Sequence, residues 1–244
     1  MAPSGTEGVG IGTAIVSYIE PHAGAARDFN RWYERDHFPG AVMAGPGAYS
    51  GARFVATRRC KDARLDGSLF GDPRTGSYLS VAWLLPDAQA GWDAWIGPQM
   101  EALVAEGRMF AGRDHLHTAV YQERWAHRAP DAPPAASTLD HRYPGVIAVA
   151  FEGEGEDHEV DIAIGSRALV GADVPVVIGF SRARLLVSVL EVPDHVLLLA
   201  FVDGDVIDVW QRAVAPGLAG RADVGFAGPF LATVPGTDTY TDDL

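Results

Sequence analysis

Phe29, Trp32, Tyr33 and Asp36/His37 recur at i, i+3, i+4 and i+7/i+8, the spacing that lays side chains along one stripe of a helix. His37 is therefore expected to face a sheet with aromatic rings beside it. An imidazole there can give or take a proton near neutral pH, and against a carbonyl compound it would act as general acid or base at an enolisable position. The expected helix C-terminus and the neighbouring Glu34 and Asp36 favour its protonated form. The same placement would also let His37 cap the helix and fix the turn made with Pro39, with no substrate involved. His115 and His117 stand two residues apart in a strand pattern, which places them on one face, where two imidazoles can share a proton. No further ligand at a telling distance turns them, with Asp114, His22 or His37, into a metal site, and an exposed pair at a sheet edge is the plain alternative. Tyr18, Tyr33, Tyr49 and Tyr78 could donate to a carbonyl or phenolate, Arg53 could hold an anion, and Trp32 and Trp83 could wall a pocket. Trp92, Trp95, Met100 and Leu103 follow helical spacing and read as core.

The elements that must position these groups fall into two matching sets. The first reads strand Ile11–Ile19, helix Ala25–His37, strands Tyr49–Arg58 and Tyr78–Leu85, helix Asp87–Gly107 broken near Pro98, and strand His115–Trp125. A stretch rich in Pro, Ala and Asp, residues 127–145, follows as a linker. The second set reads strand Val146–Phe151, helix near Glu156–Ala172, strands Val176–Val192 and His195–Val202, helix Asp205–Gly220 and strand Val224–Val234. Local patterns repeat too: an apolar strand runs into an acidic helix start with a Trp beyond it in both halves, at Trp95 and at Trp210. Residues 1–126 and 146–244 thus read as diverged copies of a βαββαβ unit, the ferredoxin-like split motif. Its sheet carries helices on one face, and here both faces carry bulk, so the fold expected is α+β: two ferredoxin-like repeats whose antiparallel sheets pack face to face in one chain and enclose a cavity.

Composition narrows the function. Lys and Arg number 19 against 32 Asp and Glu, a net charge of −13, which repels a phosphate backbone. The single cysteine, Cys60, has no disulfide partner; beside Arg58, Arg59 and Lys61 it reads as a free surface thiol in a loop. The N-terminus shows no signal-peptide pattern and no apolar run has membrane-spanning length, so a cytoplasmic protein without nucleic-acid or membrane partners is expected. Gly8 to Thr13 is glycine-rich but precedes a strand, the wrong order for a dinucleotide loop.

The run Phe29 to Pro39, followed by Tyr49-Ser50-Gly51-Ala52-Arg53-Phe54, resembles the dimeric α+β barrel superfamily, in particular its EthD-like and stress-responsive A/B barrel branches. The stretch Met100 to Phe110 is similar to the end of that family's second helix. The resemblance covers residues 11–125; in the second half the helix at Glu159 to Ala168 lacks the Trp, His and Pro, so a site of this kind should occur once. It implies a protein that binds aromatic or polyketide-like metabolites, often without a cofactor: a cyclase, isomerase, lyase or cofactor-free monooxygenase, with His37, Tyr49 and His115 or His117 as acid–base groups and Trp32, Tyr33, Arg53, Tyr18, Tyr78 and Trp83 around the substrate. Two other functions stay open: a non-catalytic small-ligand-binding or structural barrel, and a haem protein with His158 or His195 as the axial nitrogen. As both sheets come from one chain, a monomer suffices, and a homodimer through exposed helices is compatible.

Overall fold

The computed structural model describes residues 10–244. Residues 1–9, which include the N-terminal stretch and the start of the glycine-rich segment, lie outside the described residues. Eight strands, β1 (Thr13–Pro21), β2 (Ala48–Val55), β3 (Tyr78–Leu84), β4 (Arg113–Arg128), β5 (Gly145–Glu152), β6 (Val176–Val187), β7 (His195–Val202) and β8 (Val224–Ala232), close into one antiparallel barrel in the order β1-β3-β2-β8-β5-β7-β6-β4. The first four and the last four each form a ferredoxin-like half. The halves meet edge to edge as well as face to face: β4 pairs with β6 from Thr118–Val187 to Arg128–Val176, and β2 with β8 through Phe54–Ala232 and Val55–Leu231. Closure leaves no unpaired edge in the barrel.

Alternation along the strands sends one row of side chains inward and the other toward the helices. Ala14, Val16, Tyr18, Leu79, Val81, Trp83, Ala119 and Tyr121 share the inner core with Phe180, Phe201, Phe226 and Phe230 of the second half. These rings fill the space expected to hold a ligand. The enclosed volume left is about 10 Å³, between residues of both halves, room for about one water molecule. The expectation of a ligand-sized hollow between the sheets is therefore corrected: two aromatic-rich faces pack to a solid core.

Outside the barrel, α1 (Ala26–Trp32) runs on without a break into a π-helical segment, Tyr33–Met43. The expected helix end at His37 is thus the middle of a longer helix. Pro39 has no N–H to contribute, and Gln99 Nε2 donates to the Gly40 carbonyl at 2.7 Å. α3 (Gln89–Ala105) passes through Pro98 unbroken. The polar stretch expected as loop holds a short helix, α2 (Arg58–Asp62), and Cys60 on it is wholly buried, its sulfur accepting from Thr57 Oγ1 at 3.4 Å. Cys60 is no surface thiol. In the second half α4 (Glu156–Arg167) covers one side of the outer face, and α5 (Val206–Val209), a π turn (Trp210–Val214) and α6 (Ala215–Leu218) cover the other. No helix among the described residues is long and apolar enough to cross a membrane.

Candidate functional site

The sheet of the first half separates the sequence-predicted residues into two groups. A register shift between Tyr18 and Ile19 pairs Tyr18 with His117 and Ile19 with His115, skipping Leu116. One inserted residue reverses the period-two alternation. His115 thereby faces the helices and His117 the barrel interior, which corrects the same-face reading. Trp32, Tyr33, His37, Arg53 and Tyr78 belong with His115 on the helix-covered face; Tyr18, Trp83 and Tyr49 pack with His117 against the inner core.

On the helix-covered face the π-helical segment sets His37 over Trp32, ring centroids 4.5 Å apart and nearly parallel. His37 is 6% exposed and its Nδ1 has no partner. Burial, and then the charge of Arg113, push its pKa down to about 3, so the ring is neutral at physiological pH. The expected bias toward the protonated form is not realised: His37 lies inside the helix instead of at its end, and Asp36 is bound by Arg108 at 3.0 Å. Arg113 stands over the Trp32 ring at 4.6 Å, and its Nε donates to His115 Nε2 at 3.1 Å. That bond takes the His115 lone pair and fixes its proton on Nδ1, which donates to Thr118 Oγ1 at 3.0 Å. Burial, followed by Arg113, lowers the His115 pKa to about 4. His115 is thus engaged by Arg113 and Thr118, and His37 keeps a free ring nitrogen.

Tyr33 Oη bonds Ser80 Oγ at 2.7 Å beneath this stack. Arg53 is turned to the scaffold: Nη2 donates to Asn30 Oδ1 at 3.0 Å, Nη1 lies 3.7 Å from Glu34, and the guanidinium covers the rings of Tyr33 and Tyr78. It ties α1 to β2 through the buried charge-assisted hydrogen bond to Asn30. Burial pushes the Tyr78 phenol up to about 12. The matching face of the second half carries Ile147, Val149 and Leu198, and the polar groups there, Trp125 and His127, are spent on α4 through Ser166 and the Ala163 carbonyl.

Inside the barrel His117 joins two residues that the sequence did not single out as a unit. His117 Nε2 lies 2.7 Å from Tyr121 Oη, and Tyr121 Oη 2.6 Å from His195 Nε2. His195 Nδ1 lies 2.8 Å from the Pro193 carbonyl, which can only accept. All three side chains are at most 2% exposed. Tyr121 was legible in principle, since residues four apart on a strand share a face; His195, across the barrel, was not. Tyr49 sits at the rim of this core with no partner for its hydroxyl, its pKa pushed up to about 12 by burial and then Glu123. Tyr18 Oη donates to the Thr75 carbonyl at 2.8 Å.

Haem does not fit at His195, one of the two histidines considered for it. Both ring nitrogens of His195 are engaged, and the space beside His117 and Tyr121 is about 10 Å³. His158, the other, lies in the acidic first turn of α4 with its buried Nε2 unpartnered.

No family model matches the chain, and no curated protein matches it in sequence. Solved structures do match over nearly the whole length. An anthrone oxidase-like protein aligns at TM-score 0.57 with 12% identity, covering 92% of this chain and 92% of the other. A candidate monooxygenase from Fusobacterium nucleatum aligns at TM-score 0.51 and 10% identity over 92% of this chain and 93% of its own, and a candidate chlorite dismutase at 0.52 and 9% over 96% and 100%. The chain has the dimeric α+β barrel fold shared by these structures. Here both ferredoxin-like halves come from one polypeptide. At these identities the likeness is one of fold.

Proposed function

We propose that the chain is a cofactor-independent enzyme that acts on a small hydrophobic phenolic or carbonyl compound by acid–base chemistry, on the helix-covered face of the first half. The observation that carries this reading is the buried, neutral His37 with an unpartnered Nδ1, stacked on Trp32 and flanked by Arg113. Trp32 and Phe110, stacked on each other 5.6 Å apart and each partly exposed, would offer a planar aromatic substrate an apolar rim. Arg113 supplies fixed positive charge for the oxygen of a phenolate or enolate. Such an anion would also offset the Arg113 charge that adds to burial in holding the His37 pKa down, so binding raises the basicity of the group that receives the proton. The cyclase, isomerase, lyase and monooxygenase readings share this deprotonation. Electron-rich carbanions and phenolates can react with dioxygen directly, and the names of the oxidase-like and monooxygenase-named fold-mates favour that branch.

The test is a panel of phenolic and polyketide-like compounds, followed by thermal shift and oxygen consumption, on the native protein and on His37→Gln and Arg113→Gln. A ligand that stabilises the native protein is expected to be turned over, with His37→Gln reducing turnover by about 10²-fold or more and Arg113→Gln weakening binding of the anionic form. Ligand affinity and turnover unchanged in both variants would overturn the reading. Binding without turnover, unaffected by His37→Gln, would leave a non-catalytic ligand-binding barrel.

A further inference from the structure

The acid–base reading above leaves the interior chain of His117, Tyr121 and His195 unused, and its bonds have a direction. Pro193 offers a carbonyl, so His195 Nδ1 carries a hydrogen and donates. In a neutral imidazole the other nitrogen then accepts, so Tyr121 Oη–H donates to His195 Nε2. With its own hydrogen so committed, Tyr121 Oη accepts from His117 Nε2–H. His117 Nδ1 is left with a bare lone pair, and it is buried without a partner. Both imidazoles are held neutral by burial, with pKa values pushed down to about 3 and about 4.

The two ends stand in different surroundings. The rings of His117 and Tyr121 border the interior space of about 10 Å³, into which no polar atom is exposed. His195 lines a surface recess of about 350 Å³ together with Arg124, Glu159, Ser181, Arg182 and Asp194. We propose that His117, Tyr121 and His195 form a one-way-polarised proton path from the buried Nδ1 of His117 to this recess. A proton placed on His117 Nδ1 displaces the Nε2 proton to Tyr121 Oη, and the phenol's own proton passes to His195 Nε2. Three N–H or O–H bonds form and two break, with no change in electron count. The charge ends on His195, where the Pro193 carbonyl accepts from Nδ1 and solvent in the recess can take that proton. The charged groups facing the path are Arg182 from β6, paired with Asp194, and Asp194 itself beside His195. A metal ion held by the same three side chains is disfavoured, because it would need the Nε2 lone pair of His117 and leave a buried Nδ1–H with no acceptor.

The experiment is NMR on full-length protein with 15N-labelled histidine. The expected spectra place the hydrogen on Nδ1 of His195 and on Nε2 of His117. Exchange of the His117 Nε2 hydrogen with solvent is then compared with that of the Ala119 amide, which reports opening of the same strand. Tyr121→Phe and His195→Gln are each expected to slow the imidazole exchange at least tenfold while leaving Ala119 unchanged. Equal or faster exchange in either folded variant, or His117 protonated on Nδ1 in the native protein, would overturn the proposal; if Tyr121→Phe does not fold, His195→Gln decides. These residues lie across the sheet from His37, so failure of the substrate test above leaves this outcome unaffected.

Discussion

Four histidines, His37, His115, His117 and His195, are buried enough that desolvation holds each pKa well below its ordinary value of 6.5, to between about 3 and about 4. In the unfolded chain each binds a proton near pH 6.5; in the folded chain each stays neutral until pH 3 to 4. The unfolded state therefore holds more protons across that window, and stability falls as pH drops through it, by up to about 1.4 kcal/mol per pH unit for each histidine. Melting temperature is expected to be flat above pH 7 and to decline steadily from pH 6.5 to pH 4, with a shallower decline in His37→Gln. A melting temperature constant from pH 7 to 4.5 would mean that these rings are not buried in neutral form. The sequence made His37 visible through its helical stripe, but the sign of its pKa shift was hidden. That sign depends on Arg113 arriving from another strand and on Arg108 taking up Asp36, contacts that span most of the first half.

At the scale of elements, strands were legible because apolar alternation and turn residues bound them; β7, His195–Val202, is the plainest case. Helix ends and irregularities were not. The π-helical segment Tyr33–Met43 contains a proline that reads as a stop signal, and its continuation rests on packing against β2 and α3. The bulge that separates His115 from His117 adds one residue with no side-chain signature. Gly51 on β2 shows how tightly the π segment is seated: a Cβ there would lie 2.7 Å from both Phe38 Cζ and Met43 Sδ. Met43 can yield, but Phe38 stacks on Tyr33 and has less freedom. Gly51→Val is expected to cost about 1–3 kcal/mol by overpacking and to displace the segment that carries His37, read as a lowered melting temperature together with changed His37 imidazole shifts. A Gly51→Val protein as stable as the native one would show that the segment is loosely held.

Across the whole molecule, duplication was readable from element order, whereas the segment after β8 was not recognised as structural. Residues 233–243 lie along α1 and β2: Arg31 pairs with Asp238, Arg27 with Asp242, Glu34 accepts from the Gly236 amide, Asn30 donates to the Thr237 carbonyl, and the Arg58 amide donates to the Asp243 carbonyl. Ion pairs this exposed are worth little singly; together they brace the side of the barrel where β2 and β8 share the short Phe54–Val55 pairing. Exchange of the Thr233 amide, which donates to the Arg53 carbonyl across this junction, is expected to be faster than along Thr118–Arg128, and faster again in Asp238→Asn; equal protection at the two junctions would refute this ranking. One junction of the closed wall is long and the other short, so thermal breathing has a preferred line of parting. Where the β2 pairing ends, the wall is carried on by the stretch after it, the Leu65 and Leu69 amides donating to the Ala227 and Gly225 carbonyls, so a seam two residue pairs long is held from both of its sides.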